Sequence, residues 1–121
     1  MALVLCTGVD RALITTRRLI LEKAGHKVVA VTDETEVVAA CKKQTFDVAV
    51  IGQAVSTHAK RQIMQSVRQY CPSAKILELY RFSLGKKLED ADSWLEVPTD
   101  VPEELVERVA ALTKANDKKS H

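Results

Sequence analysis

The chain contains no long apolar run. The stretch at its start, Met1 to Cys6, covers six residues and has no basic leader, too short for a bilayer span or the core of a secretion signal. A cytoplasmic location with no membrane association is therefore expected. Cysteine is also scarce. Cys6, Cys41 and Cys71 make an odd number without metal-ligand spacing, so the expectation is reduced thiols and no bound metal. Neither sign of charge dominates: 18 Lys and Arg are interspersed with 16 Asp and Glu, for a net +2, which leaves no basic stripe for nucleic acid. His26, His58 and His121 share no spacing and no acid constellation, and read as surface residues rather than ligands or bases. A further absence is positional. Phe46-Asp47-Val48-Ala49-Val50-Ile51-Gly52 reads as a buried strand that ends on glycine, where a reactive acid would be expected.

At 121 residues, with 46% hydrophobic and 28% charged, the chain has the size and composition of one folded domain. That domain is expected over residues 1–113, followed by a polar, frayed tail over 114–121. Ala2 to Cys6 is β-prone, and Asp10 caps a helix on which Leu13, Arg17, Ile20, Leu21 and Ala24 recur at helical spacing. Gly25 ends that helix and His26 to Val31 forms a second strand. Asp33 opens a second helix with Glu36 as its capping-box partner and Val37, Ala40 and Cys41 facing inward, ending near Lys43. Asp47 to Ile51 is apolar on both faces, which places it in the middle of a parallel sheet. Ser56 or Thr57 caps a third helix to about Tyr70, with Ile63, Met64 and Val67 inward, before Pro72. Lys75 to Tyr80 is a fourth strand, Leu84 to Leu88 a weak helical stretch, and Ser93 to Val97 a fifth strand. Pro102 starts a last helix with Leu105, Val109 and Leu112 inward. Five strands alternating with helices predict a doubly wound, five-stranded parallel sheet in a flavodoxin-like three-layer α/β sandwich, whose sites form at the carboxyl ends of the strands.

The order of elements resembles the receiver domain of response regulators in two-component signalling, from about Ala2 to Leu112. The most specific match is Asp90-Ala91-Asp92-Ser93-Trp94-Leu95-Glu96-Val97-Pro98, similar to the family's Gly-Ala-Asp-x-aromatic-x-x-Lys-Pro segment, followed by the helix start Pro102 to Leu105. The resemblance implies a phosphoacceptor aspartate, an acidic pair for magnesium, a Thr or Ser, and a lysine. At these positions the chain carries Gly52, then Gly8 and Val9, then Tyr80, then Val97. Phosphoryl transfer needs an in-line nucleophile and concentrated positive charge, and magnesium needs carboxylates, so the expectation is an atypical receiver without phosphotransfer, enzymatic activity or a required cofactor.

Trp94 and Tyr80 fall where the family has its switch aromatic and gating hydroxyl, and two rings there could lock one state. The family's partner face would include Arg81, Lys86, Lys87, Glu89, Asp90, Glu103, Glu107 and Arg108. Its mixed charge permits either a docked, unidentified signalling protein or a homodimer. No output domain is attached in this sequence, so any effect is expected to pass to a separate partner. Arg17-Arg18, Lys42-Lys43 and Lys86-Lys87 read as solubilising basic pairs. Two other classes compete. Cys6-Thr7-Gly8-Val9-Asp10-Arg11 ends a strand and opens a helix, a setting that lowers a thiol pKa and suits a phosphate-handling enzyme or carrier. Its spacing departs from the loops it loosely resembles, the phosphocysteine loop of sugar phosphotransferase subunits and the Cys-x5-Arg loop of low-molecular-weight phosphatases, and a buried strand cysteine is the stronger reading. A small-ligand module would use room left beside Gly8 and Gly52.

Overall fold

The computed structural model describes residues 2–119, with the backbone alone described from 115 onward. Five parallel strands, β1 (Leu3–Thr7), β2 (Lys27–Val31), β3 (Val48–Ile51), β4 (Lys75–Tyr80) and β5 (Ser93–Glu96), form one sheet in the order β2-β1-β3-β4-β5. This is the expected doubly wound order, with β3 at the centre and all four of its residues buried. The helices are α1 (Arg11–Lys23), α2 (Glu34–Lys43), α3 (Thr57–Tyr70) and α4 (Glu103–Lys119).

Alternation along the strands divides the core between two faces. Leu5, Ala49, Ile51 and Ile76 pack with Val37, Ile63 and Val67 from α2 and α3. Val4, Cys6, Val50, Leu77 and Leu79 pack with Leu21 from α1 and with Leu105, Val109 and Leu112 from α4.

The caps follow the sequence. The Asp10 carboxylate accepts the Ala12 and Leu13 N–H groups, Asp33 accepts from Glu36, and the Ser56 hydroxyl accepts from Ala59. Gly25 follows the end of α1 with φ +94°, the left-handed backbone a glycine adopts at little cost. Glu36 differs from a standard capping box: its carboxylate takes the N–H and hydroxyl of Thr32, one residue before the cap, at 3.1 and 2.6 Å.

Three expectations need correction. The stretch Leu84 to Leu88 forms no helix. Gly85 has φ +73°, and the N–H groups of Lys87 and Leu88 are given to the Glu78 carboxylate instead of to a helical carbonyl. The segment beyond Lys114 is helical to Lys119 rather than frayed; the last two residues, His121 included, lie outside the described residues. His26 is half-buried, its Nδ1 accepting the Ala2 N–H at 3.1 Å, whereas His58 is exposed as expected.

Candidate functional site

The carboxyl ends of β1, β3, β4 and β5 gather Gly8, Gly52, Tyr80 and Val97. The Gly52 N–H donates to the Thr7 carbonyl at 3.0 Å, and the Val97 N–H to the Tyr80 carbonyl at 2.8 Å. Gly8, Gly52 and Val97 are buried, Tyr80 is half-buried, and Val9 is 60% exposed. No carboxylate stands at any of these five positions. The acid next to Gly8 and Val9 in sequence, Asp10, is occupied as the α1 cap, and no cluster of three potential metal-ligating side chains occurs among the described residues.

The position a side chain would take at either glycine is closely bordered. A Cβ on Gly8 would meet Ile14 Cγ1 at 3.3 Å. A Cβ on Gly52 would lie 3.0 Å from the Thr7 carbonyl oxygen, 3.3 Å from Gly8 Cα and 3.4 Å from an Arg17 guanidinium nitrogen. Arg17 is thus not a solubilising partner of Arg18. It is half-buried and hydrogen-bonds the Gln53 side-chain oxygen, while Arg18 pairs with Glu22 one helical turn on. Burial lowers the Arg17 pKa, with Cys6 and Asp10 acting in the opposite sense.

Cys6 is 2% exposed. Burial pushes its thiol up to about 12, and the nearby Arg17 charge offsets this only in part. A thiol in that state is protonated at neutral pH, the reverse of a nucleophilic cysteine. Cys41 and Cys71 are free and buried as well. Brief iodoacetamide treatment of the folded protein at pH 7 should leave Cys6 unmodified; prompt alkylation, read by peptide mass, would revive the phosphate-carrier reading. Stability follows the same shift. The unfolded thiol ionises near its ordinary 9.0 and the folded one near 12, so the contribution of Cys6 is full below pH 9 and is lost as pH rises toward 12.

Sequence reasoning missed the strongest electrostatic feature. Lys60 on α3 and Glu78 on β4 are 1% and 0% exposed and form an ion pair of 2.7 Å. Lys60 Nζ also donates to the Leu79 carbonyl at 2.9 Å. Glu78 accepts the Lys87 N–H on both oxygens at 3.0 and 2.9 Å and the Leu88 N–H at 2.9 Å. A signal was present: Lys60 precedes Ile63 and Val67 at helical spacing, and Glu78 stands between Leu77 and Leu79 in β4. The pair ties the connection over residues 81–92 to the sheet in place of a helix.

Around that connection, Trp94 Nε1 donates to the Leu88 carbonyl at 2.8 Å, and the Lys86 ammonium lies 4.9 Å from the Trp94 ring and 5.8 Å from the Tyr80 ring. Lys86 therefore stands against both rings and belongs to no solubilising pair. Lys42, too, lies over a ring, that of Tyr70 at 5.2 Å. Arg81, Lys86, Glu89 and Asp90 are exposed on one side of the β5 edge and Glu103, Glu107 and Arg108 on the other, with Lys87 half-buried. Arg108 Nε donates to the Trp94 carbonyl across that edge at 3.3 Å. Phe82 and Leu84 add apolar surface at 81% and 59% exposure. In the segment of strongest resemblance, Ala91 is buried, and Asp92 accepts the Ile76 N–H and pairs with Arg68 at 3.4 Å.

No protein-family model matches the sequence, and no curated protein matches it. Solved structures do. A CheY-like response regulator receiver domain from Methanospirillum hungatei JF-1 superposes with a TM-score of 0.83 at 18% identity, over 98% of each chain. Chemotaxis response regulator CheY4 of Vibrio cholerae gives 0.77 at 23% identity, over 93% of this chain and 98% of that one. A structure described as a family of redox sensors in the streptococci evolved from two-component response regulators gives 0.82 at 19% identity, over 99% of this chain and 54% of that one. The likeness establishes a CheY-like receiver fold of five parallel strands, here with four helices.

Proposed function

We propose that this receiver-fold chain is a signal-transduction domain that acts through protein contact, without phosphoryl transfer, enzymatic activity or a required cofactor. The observation that carries the reading is Gly52 beneath the Arg17 guanidinium, with Thr7 and Gly8 backbone closing the remaining space. A site for phosphoryl transfer needs an oxygen nucleophile and a metal held by carboxylates. Gly52, Gly8 and Val9 supply neither.

The contact surface in this reading is the β5 edge with the connection before it. Arg81, Phe82, Leu84 and Lys86 present aromatic and aliphatic groups among positive charges, a combination suited to an apolar partner segment bearing acids. Glu103 and Glu107 on the far side of that edge allow a second copy of the chain to supply those acids.

Incubation with acetyl phosphate and magnesium, followed by intact mass measurement, should give no phosphorylated species, and beryllofluoride with magnesium should leave the Trp94 emission unchanged. A magnesium-dependent acyl phosphate would overturn the proposal. The same preparation, immobilised, should lose any retained protein partner on Phe82→Asp.

A further inference from the structure

Beside Gln53, a cleft of about 210 Å³ runs between α1, the end of β5 and the start of α4. Leu13, Ile20, Leu79, Leu95, Val97 and Leu105 give it mostly hydrocarbon walls, and Arg17 stands among them. A dry engineered cavity of about 150 Å³ takes up benzene, so this space suits a body of the size of a phenyl ring or a short branched chain.

Arg17 makes the cleft selective. Its one side-chain hydrogen bond among the described residues goes to the neutral amide of Gln53. Arg17 takes no part in the ion pairs of Arg18 with Glu22, Lys60 with Glu78 and Arg68 with Asp92. Asp10 acts on Arg17 electrostatically, but its hydrogen bonds go to the N–H groups of α1. A half-buried guanidinium with donors to spare, set in an apolar wall, is complementary to a carboxylate, which it can grip with two parallel N–H bonds. Thr99, another lining residue, hydrogen-bonds Glu104 at 2.9 Å, placing negative charge at the rim and disfavouring a second anionic group.

We propose that this cleft binds a small monocarboxylic acid with an apolar body, its carboxylate on Arg17 and its hydrocarbon against Leu13, Leu95 and Leu105. The site is distinct from the β5-edge surface and does not depend on the absence of phosphoryl transfer. Its occupant bridges α1, β5 and α4 and sets a negative charge on Arg17, the side chain that stands against Gly52, so the ligand would serve as an input at a strand end where the chain has no acid of its own.

Benzoate, its neutral isostere benzamide, and inorganic phosphate are suitable probes, titrated by calorimetry and by amide chemical shifts. Benzoate should bind with a dissociation constant below about 1 mM, shifting the amides of Leu13, Thr16, Val97 and Thr99, and benzamide should bind at least about tenfold more weakly. Arg17→Met should abolish that discrimination and Arg17→Lys should keep part of it. If Arg17→Met does not fold, the benzoate and benzamide comparison on the unaltered chain decides the matter. The proposal is overturned if benzoate fails to bind in this range, if benzamide or phosphate binds as tightly, or if the shifts instead map to the neighbouring cleft of Ser56, Lys60 and Gly85.

Discussion

Glu78→Ala should cost about 3 to 5 kcal/mol, since it leaves the Lys60 ammonium buried without its counter-charge. For a domain whose whole stability lies near 5 to 15 kcal/mol, that loss brings it close to unfolding. The same change strands the N–H groups of Lys87 and Leu88, which Glu78 holds at 2.9 to 3.0 Å. The damage should therefore appear in two places: in the denaturant midpoint, and in faster amide exchange at those two residues. Glu78→Gln keeps one acceptor oxygen, which at the Oε1 position still reaches both backbone donors, and should lose less. The double change Lys60→Met with Glu78→Leu removes both charges together and should recover most of the denaturant midpoint while the Lys87 and Leu88 amides stay unprotected. A penalty below about 1 kcal/mol for Glu78→Ala would show that the pair is accessible to water.

Gly52→Asp should destabilise the domain by about 1 to 3 kcal/mol, the usual range for forcing atoms into a packed interior. The first added carbon falls 3.0 Å from the Thr7 carbonyl oxygen and 3.3 Å from Gly8 Cα. Both are backbone atoms at the end of β1, which pairs with β3 through Thr7 and Ile51, so neither yields by a rotamer change. Gly52→Ala isolates this steric part and should account for much of the loss. Nor should the introduced acid become phosphorylated: an Arg17 nitrogen stands 3.4 Å from its first carbon, ready to pair with it, and Gly8 and Val9 offer no carboxylate for magnesium. Chemical denaturation and intact mass after acetyl phosphate would check the two halves separately. Undiminished stability would show that β1 and β3 can spread at this point.

The fold was legible because its determinants are local and repeated. Asp10, Asp33 and Ser56 cap the first three helices as their spacing implied, and the apolar run Val48 to Ile51 lies at the sheet centre. Leu84 to Leu88 misled because helical propensity is a weak prior, and the competing acceptor, Glu78, belongs to another element. The candidate site was legible by position and only partly by content. Gly8, Gly52, Tyr80 and Val97 do converge at the strand ends, but what fills the space around the glycines, Ile14 and Arg17, follows from side-chain reach across elements. Arg17 appeared in the apolar recurrence of α1, yet its pairing with Arg18 in sequence suggested solvent. Lys60 and Glu78 were hidden for the same reason: each is ordinary alone, and their partnership joins positions 18 residues apart.

The connection between β4 and β5 is fastened by main-chain N–H groups at Lys87 and Leu88, so its anchorage does not depend on the side chains of Arg81 to Leu84. Apart from the turn that Gly85 makes, the exposed positions Phe82, Ser83 and Leu84 can be rewritten without touching what holds the segment down. That makes the segment a natural grafting point, where a short foreign recognition sequence could be displayed on a connection fastened to the sheet through Glu78.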